Sequence, residues 1–364
     1  MHRRVRPLYR RVAAPRVDDD FRVSLCRSAR RAMLIGILGG GSFGTALGKI
    51  LADAGHDVVV WCHNPAVAEA IESSRENPTY LPGVALPYTL RATAAIGSAV
   101  TGRELLLVMG PSHVLRAVLE QAQPYVGAKT LLVSAAKGIE EGTRLRMTEV
   151  IIDVLGEDAR SRTVALSGPS FAKEIVAGMP TAVTVAGYDD ATCVAVQTAL
   201  RTPIFRTYSS RDVVGVEVGG AAKNVIAIAA GVSDGLGLGH SSRAALITRG
   251  VAEIGRLVEA LGGDARTVSG LAGVGDIVLT CTGDMSRNRT VGLRIGRGEK
   301  LRDILASMKM VAEGVHNSRS VCELAAEAGV EMPIAEQVRQ LLHEDKPARQ
   351  VIAEFMSRES KPEF

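Results

Sequence analysis

Lys223 stands in the middle of VVGVEVGGAAKNVIAIAAGVSDG (213–235), a stretch otherwise built mostly from Ala, Gly, Val and Ile. An ammonium group in such surroundings is costly unless it is paired or used, which makes Lys223 a candidate acid or base with a tunable pKa. The competing reading is a lysine snorkelling out of a half-buried helix. Gly219, Gly220, Ala221 and Ala222 favour the first, because such small residues let the backbone approach another body closely. Asn224 follows, and Glu217 lies seven residues before Asn224 on the same helical face. A second lysine, Lys137, comes just past a short apolar run and is bracketed by small residues, so it either points into a crevice or is a solvated loop lysine; spacing leaves both open. Asp276 follows a glycine turn in LAGVGDIVLTC (271–281), as a functional carboxylate or an acidic N-cap. Ser286, Arg287 and Asn288 precede a helical pattern, and such a cluster at a helix N-terminus is either a phosphate site or a plain capped helix start.

These groups need a scaffold, and residues 33–53 indicate which. MLIGILGGGSFGTALGKILAD reads as a buried strand, a glycine turn and a helix, with Gly39, Gly41 and Gly44 in the spacing G-x-G-x-x-G. Gly39 permits the tight turn, Gly41 lets backbone approach a pyrophosphate, and Gly44 allows close helix–strand packing. The helix start offers free N–H groups to phosphates. Thr45 stands where a P-loop needs lysine, which excludes that motif. A second strand ends at Trp61, and its tip holds Cys62, His63 and Asn64 in place of the Asp or Glu that binds the NAD ribose. NADP is therefore admissible, with His63 a candidate for the adenosine end or simply an exposed loop histidine.

Further apolar runs at 104–109, 130–134 and 163–167 each end in small, polar or turn-forming residues, as at the ligand-facing edge of an open parallel sheet. Runs at 181–185 and 203–207 close the sheet. From Asp212 the alternation gives way to helical segments, with amphipathic patterns at 301–306, 318–328, 334–343 and 348–356. The expected fold is α/β: an N-terminal Rossmann dinucleotide-binding domain over 33–211, then an all-helical substrate and catalytic domain over 212–364.

The 364 residues suffice for two such cores, and 46% hydrophobic content reads as globular. No run of eighteen apolar residues occurs, so no membrane insertion is expected. Residues 1–32 hold ten Arg against three Asp, so the net charge of +4 overall becomes −3 for the rest, which gives a nucleic-acid partner little support. That segment reads as a disordered extension or as a start-site artefact preceding Met33. The five cysteines form no C-x-x-C pair, a pattern of reduced thiols in a cytoplasm, and no metal-ligand spacing occurs.

Taken together, GGGSFGTALG, SAAKGIE, SGPSFAKE, GGAAKNV, RAALITRG and GVGDIVLTCTGDMSRNR resemble the NAD(P)-dependent glycerol-3-phosphate dehydrogenase family of the bacterial type, over about 33–356. The departures are mild: Phe43 where Trp is common, and Ala222 where a larger aliphatic usually precedes the lysine. The resemblance implies reversible hydride transfer between the nicotinamide of an NADP or NAD cofactor, in its reduced form for the forward step, and a phosphorylated small molecule, dihydroxyacetone phosphate, giving sn-glycerol 3-phosphate for glycerophospholipid synthesis. It implies Lys223 as proton donor, Lys137 touching both cofactor and substrate, and Asp276 orienting the lysine and a substrate hydroxyl, with Thr280 and Asn224 nearby. Gly168 and Ser170 would line the substrate pocket, and Ser286, Arg287 and Asn288 would hold the phosphate. Around the cofactor it places Ser42, Phe43, His63, Tyr80, Lys137, Ala172, Arg287, Val311 and Glu313, and it admits a homodimer. A related β-hydroxyacid dehydrogenase lacks the use for a phosphate segment at 286–288, and a nucleotide sensor without chemistry has no use for Lys137, Lys223 and Asp276.

Overall fold

The computed structural model describes residues 31–308, 310–357 and 359. The expectation for the N-terminal extension therefore falls almost wholly outside the described residues. Eight strands form one sheet in the order β3-β2-β1-β4-β5-β6-β7-β8. They are β1 (Leu34–Leu38), β2 (Asp57–Trp61), β3 (Leu90–Thr93), β4 (Leu105–Val108), β5 (Leu131–Ser134), β6 (Thr163–Ser167), β7 (Thr181–Gly187) and β8 (Phe205–Ser210). The inner strands read as unbroken apolar runs because helices cover both faces of the sheet. Ile35 and Leu107 pack into one core cluster, and Leu38 and Leu106 into the other. Two features differ from a simple parallel series. β7 runs antiparallel to β6, and the edge strand β3 is too short and polar, LRAT, to announce itself by period.

The helices that matter for the site are α1 (Ser42–Asp53), α2 (Pro65–Ser74), α3 (Met147–Leu155), α4 (Ala172–Val176), α5 (Val213–Gly235), α6 (Gly239–Ala260), α7 (Asp276–Thr282), α8 (Arg287–Gly296), α9 (Glu313–Glu327) and α10 (Pro333–His343). α9 starts five residues before the expected 318, since its first turn carries Glu313, His316 and Asn317 and shows no apolar stripe. The central element is α5, buried from Val213 to Ser233 with scarcely a break. By mean hydropathy, 1.5 over its best window, it is long and apolar enough to cross a membrane, yet 94% of that window is buried inside the protein. A helix that is apolar all round is a core helix when other elements surround it.

Glycine is what lets α8 reach α5. A Cβ on Gly292 would overlap the carbonyl oxygen of Ile228, one on Gly231 the carbonyl of Arg289, and one on Gly235 the carbonyl of Leu293, while one on Gly296 would stand 2.6 Å from the carbonyl of Val232. The two helices thus cross backbone to backbone, and the start of α8 is held against the middle of α5. Gly41 is the contrast, with nothing within 4 Å of where its Cβ would be and an ordinary φ of −73°. We therefore expect Gly292→Ala to destabilise the protein by about 1–3 kcal/mol through overpacking, measured as a lower urea midpoint. Gly41→Ala should leave that midpoint unchanged.

Candidate active site

At the end of β1 the chain turns through Gly39, whose φ of +133° suits glycine. Gly44 sits so close beneath that a Cβ there would overlap the Gly39 carbonyl. The turn is braced by Asn77, buried, whose Nδ2 donates to the Gly40 carbonyl at 2.9 Å and to Thr45 Oγ1 at 2.8 Å. No side chain caps the start of α1. Its first N–H groups and the open space over Gly41 form a cradle that fits a pyrophosphate. Around it, Ser42 Oγ donates to the Tyr80 carbonyl at 2.5 Å, while Phe43, Tyr80 and Ala172 pack on the same apolar cluster. His63 is exposed beyond β2 with its ring edge-on to Trp61 at 6.0 Å. Asn64 caps α2 by accepting from Ala66 N–H at 3.0 Å.

At the C-terminal ends of β5 and β6 the two lysines converge. Lys223, on α5, is buried and donates to Asp276 Oδ1 at 2.5 Å and to Thr280 Oγ1 at 2.9 Å. Lys137, partly open to solvent, donates to the other oxygen, Asp276 Oδ2, at 2.6 Å and to the Gly168 carbonyl at 3.2 Å. Ser170 Oγ donates to the same Gly168 carbonyl at 2.9 Å. Asp276 is not an N-cap. It begins α7 directly after a turn of π-helix, Leu271–Gly275, a wider turn that often marks functional sites. Burial pushes the Lys223 ammonium down to about 8, against the pull of Asp276 and with the help of Lys137. For Asp276, burial would raise the carboxyl, but the two ammonium groups prevail and hold it below its ordinary range.

The third group opens α8. Ser286 caps the helix by accepting from Arg289 N–H at 3.2 Å, Arg287 is exposed, and Asn288 is buried, its Nδ2 donating to Asn224 Oδ1 at 2.8 Å and its Oδ1 accepting from Gly314 N–H at 2.9 Å. Asn224 donates in turn to the Lys137 carbonyl at 3.4 Å. Glu313 begins α9, accepts from Ser112 Oγ at 2.6 Å and lies within electrostatic reach of Arg287. Val311 is exposed just before it. Glu217 does not join this site. Its carboxylate accepts from Thr148 N–H at 2.8 Å and Thr148 Oγ1 at 2.5 Å, which fastens α5 to the start of α3.

Residues that pattern reading passes over are Asn77 and Asn317, whereas Ser112 stands in the turn that follows the apolar run at 104–109. An asparagine's value as a brace shows only when its partners, distant in sequence, are known.

Comparison with known proteins matches both parts of the chain. Residues 34–193 match the family model described as the NAD-dependent glycerol-3-phosphate dehydrogenase N-terminus, and residues 212–353 its C-terminus. The chain is 51% identical to the glycerol-3-phosphate dehydrogenase [NAD(P)+] of Geobacter sulfurreducens over 329 residues, 90% of this chain and 98% of that one. It is likewise 51% identical to that of Myxococcus xanthus over 328 residues, covering 90% and 98%. The crystal structure of glycerol-3-phosphate dehydrogenase from Coxiella burnetii superposes with a TM-score of 0.86 at 38% identity, covering 90% of this chain and 99% of that one. A ketopantoate reductase from Ralstonia eutropha, at 14% identity and TM-score 0.55, shares the fold alone. With both halves matched and half of all aligned positions identical, the chain belongs to the NAD-dependent glycerol-3-phosphate dehydrogenase family.

Proposed function

We propose that this chain interconverts dihydroxyacetone phosphate and sn-glycerol 3-phosphate by hydride transfer with NAD(P)H, supplying glycerol 3-phosphate for glycerophospholipid synthesis. The observation that carries the reading is Asp276 held between two lysines of unlike exposure. When bound, the nicotinamide supplies or takes up the hydride at C2 of the substrate. Reduction leaves an alkoxide that needs a proton, and Lys223 is the donor, its pKa near the working range. Lys137, beside it and more open, places a positive charge where the oxyanion develops and binds substrate and cofactor. Asp276 keeps both ammonium groups in place, and Thr280 and Asn224 complete the pocket with Gly168 and Ser170. Arg287 holds the phosphate, with Ser286 and Asn288 shaping the helix start beneath it.

On the cofactor side Gly39, Gly41, Ser42, Phe43 and Gly44 take the pyrophosphate end. His63, Tyr80, Ala172, Arg287, Val311 and Glu313 line the remainder. Residues 33–211 carry most of the dinucleotide contacts and 212–364 the proton donor and the phosphate group, while Lys137, Gly168 and Ser170 reach the substrate from the first part and Arg287, Val311 and Glu313 reach the cofactor from the second. The four described cysteines, Cys62, Cys193, Cys281 and Cys322, are free thiols, which supports a cytoplasmic enzyme. Assembly as a homodimer belongs to the same reading and is tested by analytical ultracentrifugation.

The defining assay is oxidation of NADPH or NADH with dihydroxyacetone phosphate. Lys223→Ala should lower kcat by about 10²–10⁴-fold with the fold intact by circular dichroism. Retained activity in Lys223→Met would make the lysine structural.

The pH dependence has a fixed sign. Reduction requires the ammonium form, so kcat should be full below about pH 7 and fall as pH rises through the Lys223 pKa of about 8, whereas oxidation requires the free amine and should fall as pH drops through it. Steady-state rates in both directions from pH 6 to 10 check this.

Arg287→Ala should lose on the order of 10²-fold in kcat/KM for dihydroxyacetone phosphate, roughly 2.7 kcal/mol, and far less for unphosphorylated dihydroxyacetone. Equal losses would move the phosphate site elsewhere. Cofactor use should be dual or favour NADPH, as no carboxylate at residues 62–64 repels a 2′-phosphate. A preference for NADH above about 100-fold would count against it.

A further inference from the structure

Asn317 is completely buried on α9, and both of its donor contacts leave its own helix. Its Nδ2 donates to the Lys137 carbonyl at 2.8 Å and to the Ala221 carbonyl at 3.2 Å. Ala221 is two residues from Lys223, so one carboxamide fixes the spacing between the segments that carry the two lysines. The contact closes a ring. Gly314 N–H, on the same helix, donates to Asn288, Asn288 donates to Asn224, Asn224 donates to the Lys137 carbonyl, and Asn317 completes the circuit at that carbonyl. Every member but Lys137 is buried.

The acceptor end of Asn317 makes the case stronger. Oδ1 has no hydrogen-bond partner, although an unpaired buried polar atom is normally avoided. It lies against Gly138, where a Cβ would stand 2.9 Å from it and would overlap the Ser112 hydroxyl. With its acceptor end unpaired, what the Asn317 carboxamide contributes here is the pair of bonds made by its donor end.

We propose that Asn317 is a positioning residue for the reaction: by holding the Lys137 carbonyl and the Ala221 carbonyl together, it keeps the Lys137 ammonium on Asp276 beside Lys223. The inference rests on the dehydrogenase reading above for its link to catalysis, and on geometry alone for its link to Lys137. Glu313 lies one turn before Asn317 on α9, so the helix that faces the cofactor site is the one that sets the substrate lysine.

The test uses the full-length protein and Asn317→Ala. Expected are an unchanged circular-dichroism spectrum and a kcat for dihydroxyacetone phosphate reduction lower by on the order of 10²-fold, the scale of a small misplacement of reacting groups. The basic limb of the pH profile should move upward, since Lys223 would lose the nearby Lys137 charge and keep Asp276 to itself. Asn317→Ser, which retains one donor, should recover part of the rate, and it carries the same test if Asn317→Ala does not fold. Acetylation of Lys137 by acetic anhydride, followed by mass spectrometry, should be several-fold faster in the variants than in wild type. Wild-type labelling rates at Lys137, or an unchanged kcat and pH limb, would overturn the proposal. A wild-type protein inactive on dihydroxyacetone phosphate would instead sink the functional reading, with the labelling result still deciding whether Asn317 holds Lys137.

Discussion

The arrangement depends on one buried carboxylate. Asp276 accepts from Lys223 on one oxygen and from Lys137 on the other, and no other described group supplies negative charge at that point. Removing one partner from a buried ion pair typically costs several kcal/mol, while replacing the whole set by apolar residues is often neutral or better. Stability alone therefore gives little reason for two lysines and an aspartate here, and chemistry gives a good one. The two ammonium groups differ in exposure, the sealed one lowered towards neutral pH by burial and the other partly open to solvent.

Bringing those groups together is a packing problem, and glycine solves it on both sides of α5. On one flank α8 crosses so closely that Gly231, Gly235 and Gly292 leave no room for a methyl group. Gly314 makes a similar approach at the start of α9, where a Cβ would lie 2.6 Å from the Asn224 carbonyl. On the other flank Gly220 faces Ser167 at the end of β6 and the stem of Lys137. The sheet end, the π-turn before Asp276 and two helix starts can all reach one stretch of helix because that stretch has almost no side chains in the way. Glu217, six residues before Lys223, anchors the same helix to α3, and burial pushes its carboxyl up to about 7. It is a cost borne inside the scaffold and not in the site.

The dinucleotide end follows a different logic. There the side chains are occupied with the loop itself: Asn77 braces the turn, Asn64 caps α2, and Cys62 fills the space beneath Gly40. What remains open is the cradle over Gly41 at an uncapped helix start. Polar side chains spent on holding the loop leave N–H groups free for a ligand.

How much of this was legible beforehand depends on how local the signal is. The glycine spacing at 39–44, the buried strands and the lysine embedded among small residues are short-range patterns, and each states its own physical requirement, so fold class and the catalytic candidate could be read from them. Asp276 was legible as a polar residue out of place, but its choice over a helix cap was decided by Lys137 and Lys223, 139 and 53 residues away. The antiparallel β7, the edge strand β3 and the early start of α9 were not visible, because pairing direction and polar first turns leave no periodic trace. Asn317 illustrates the limit. By itself the sequence determined which residues must be buried and which glycines must turn; only the tertiary structure decided which buried polar groups meet, since a hydrogen bond between distant segments is fixed by the packing of helices and not by any neighbour in the chain.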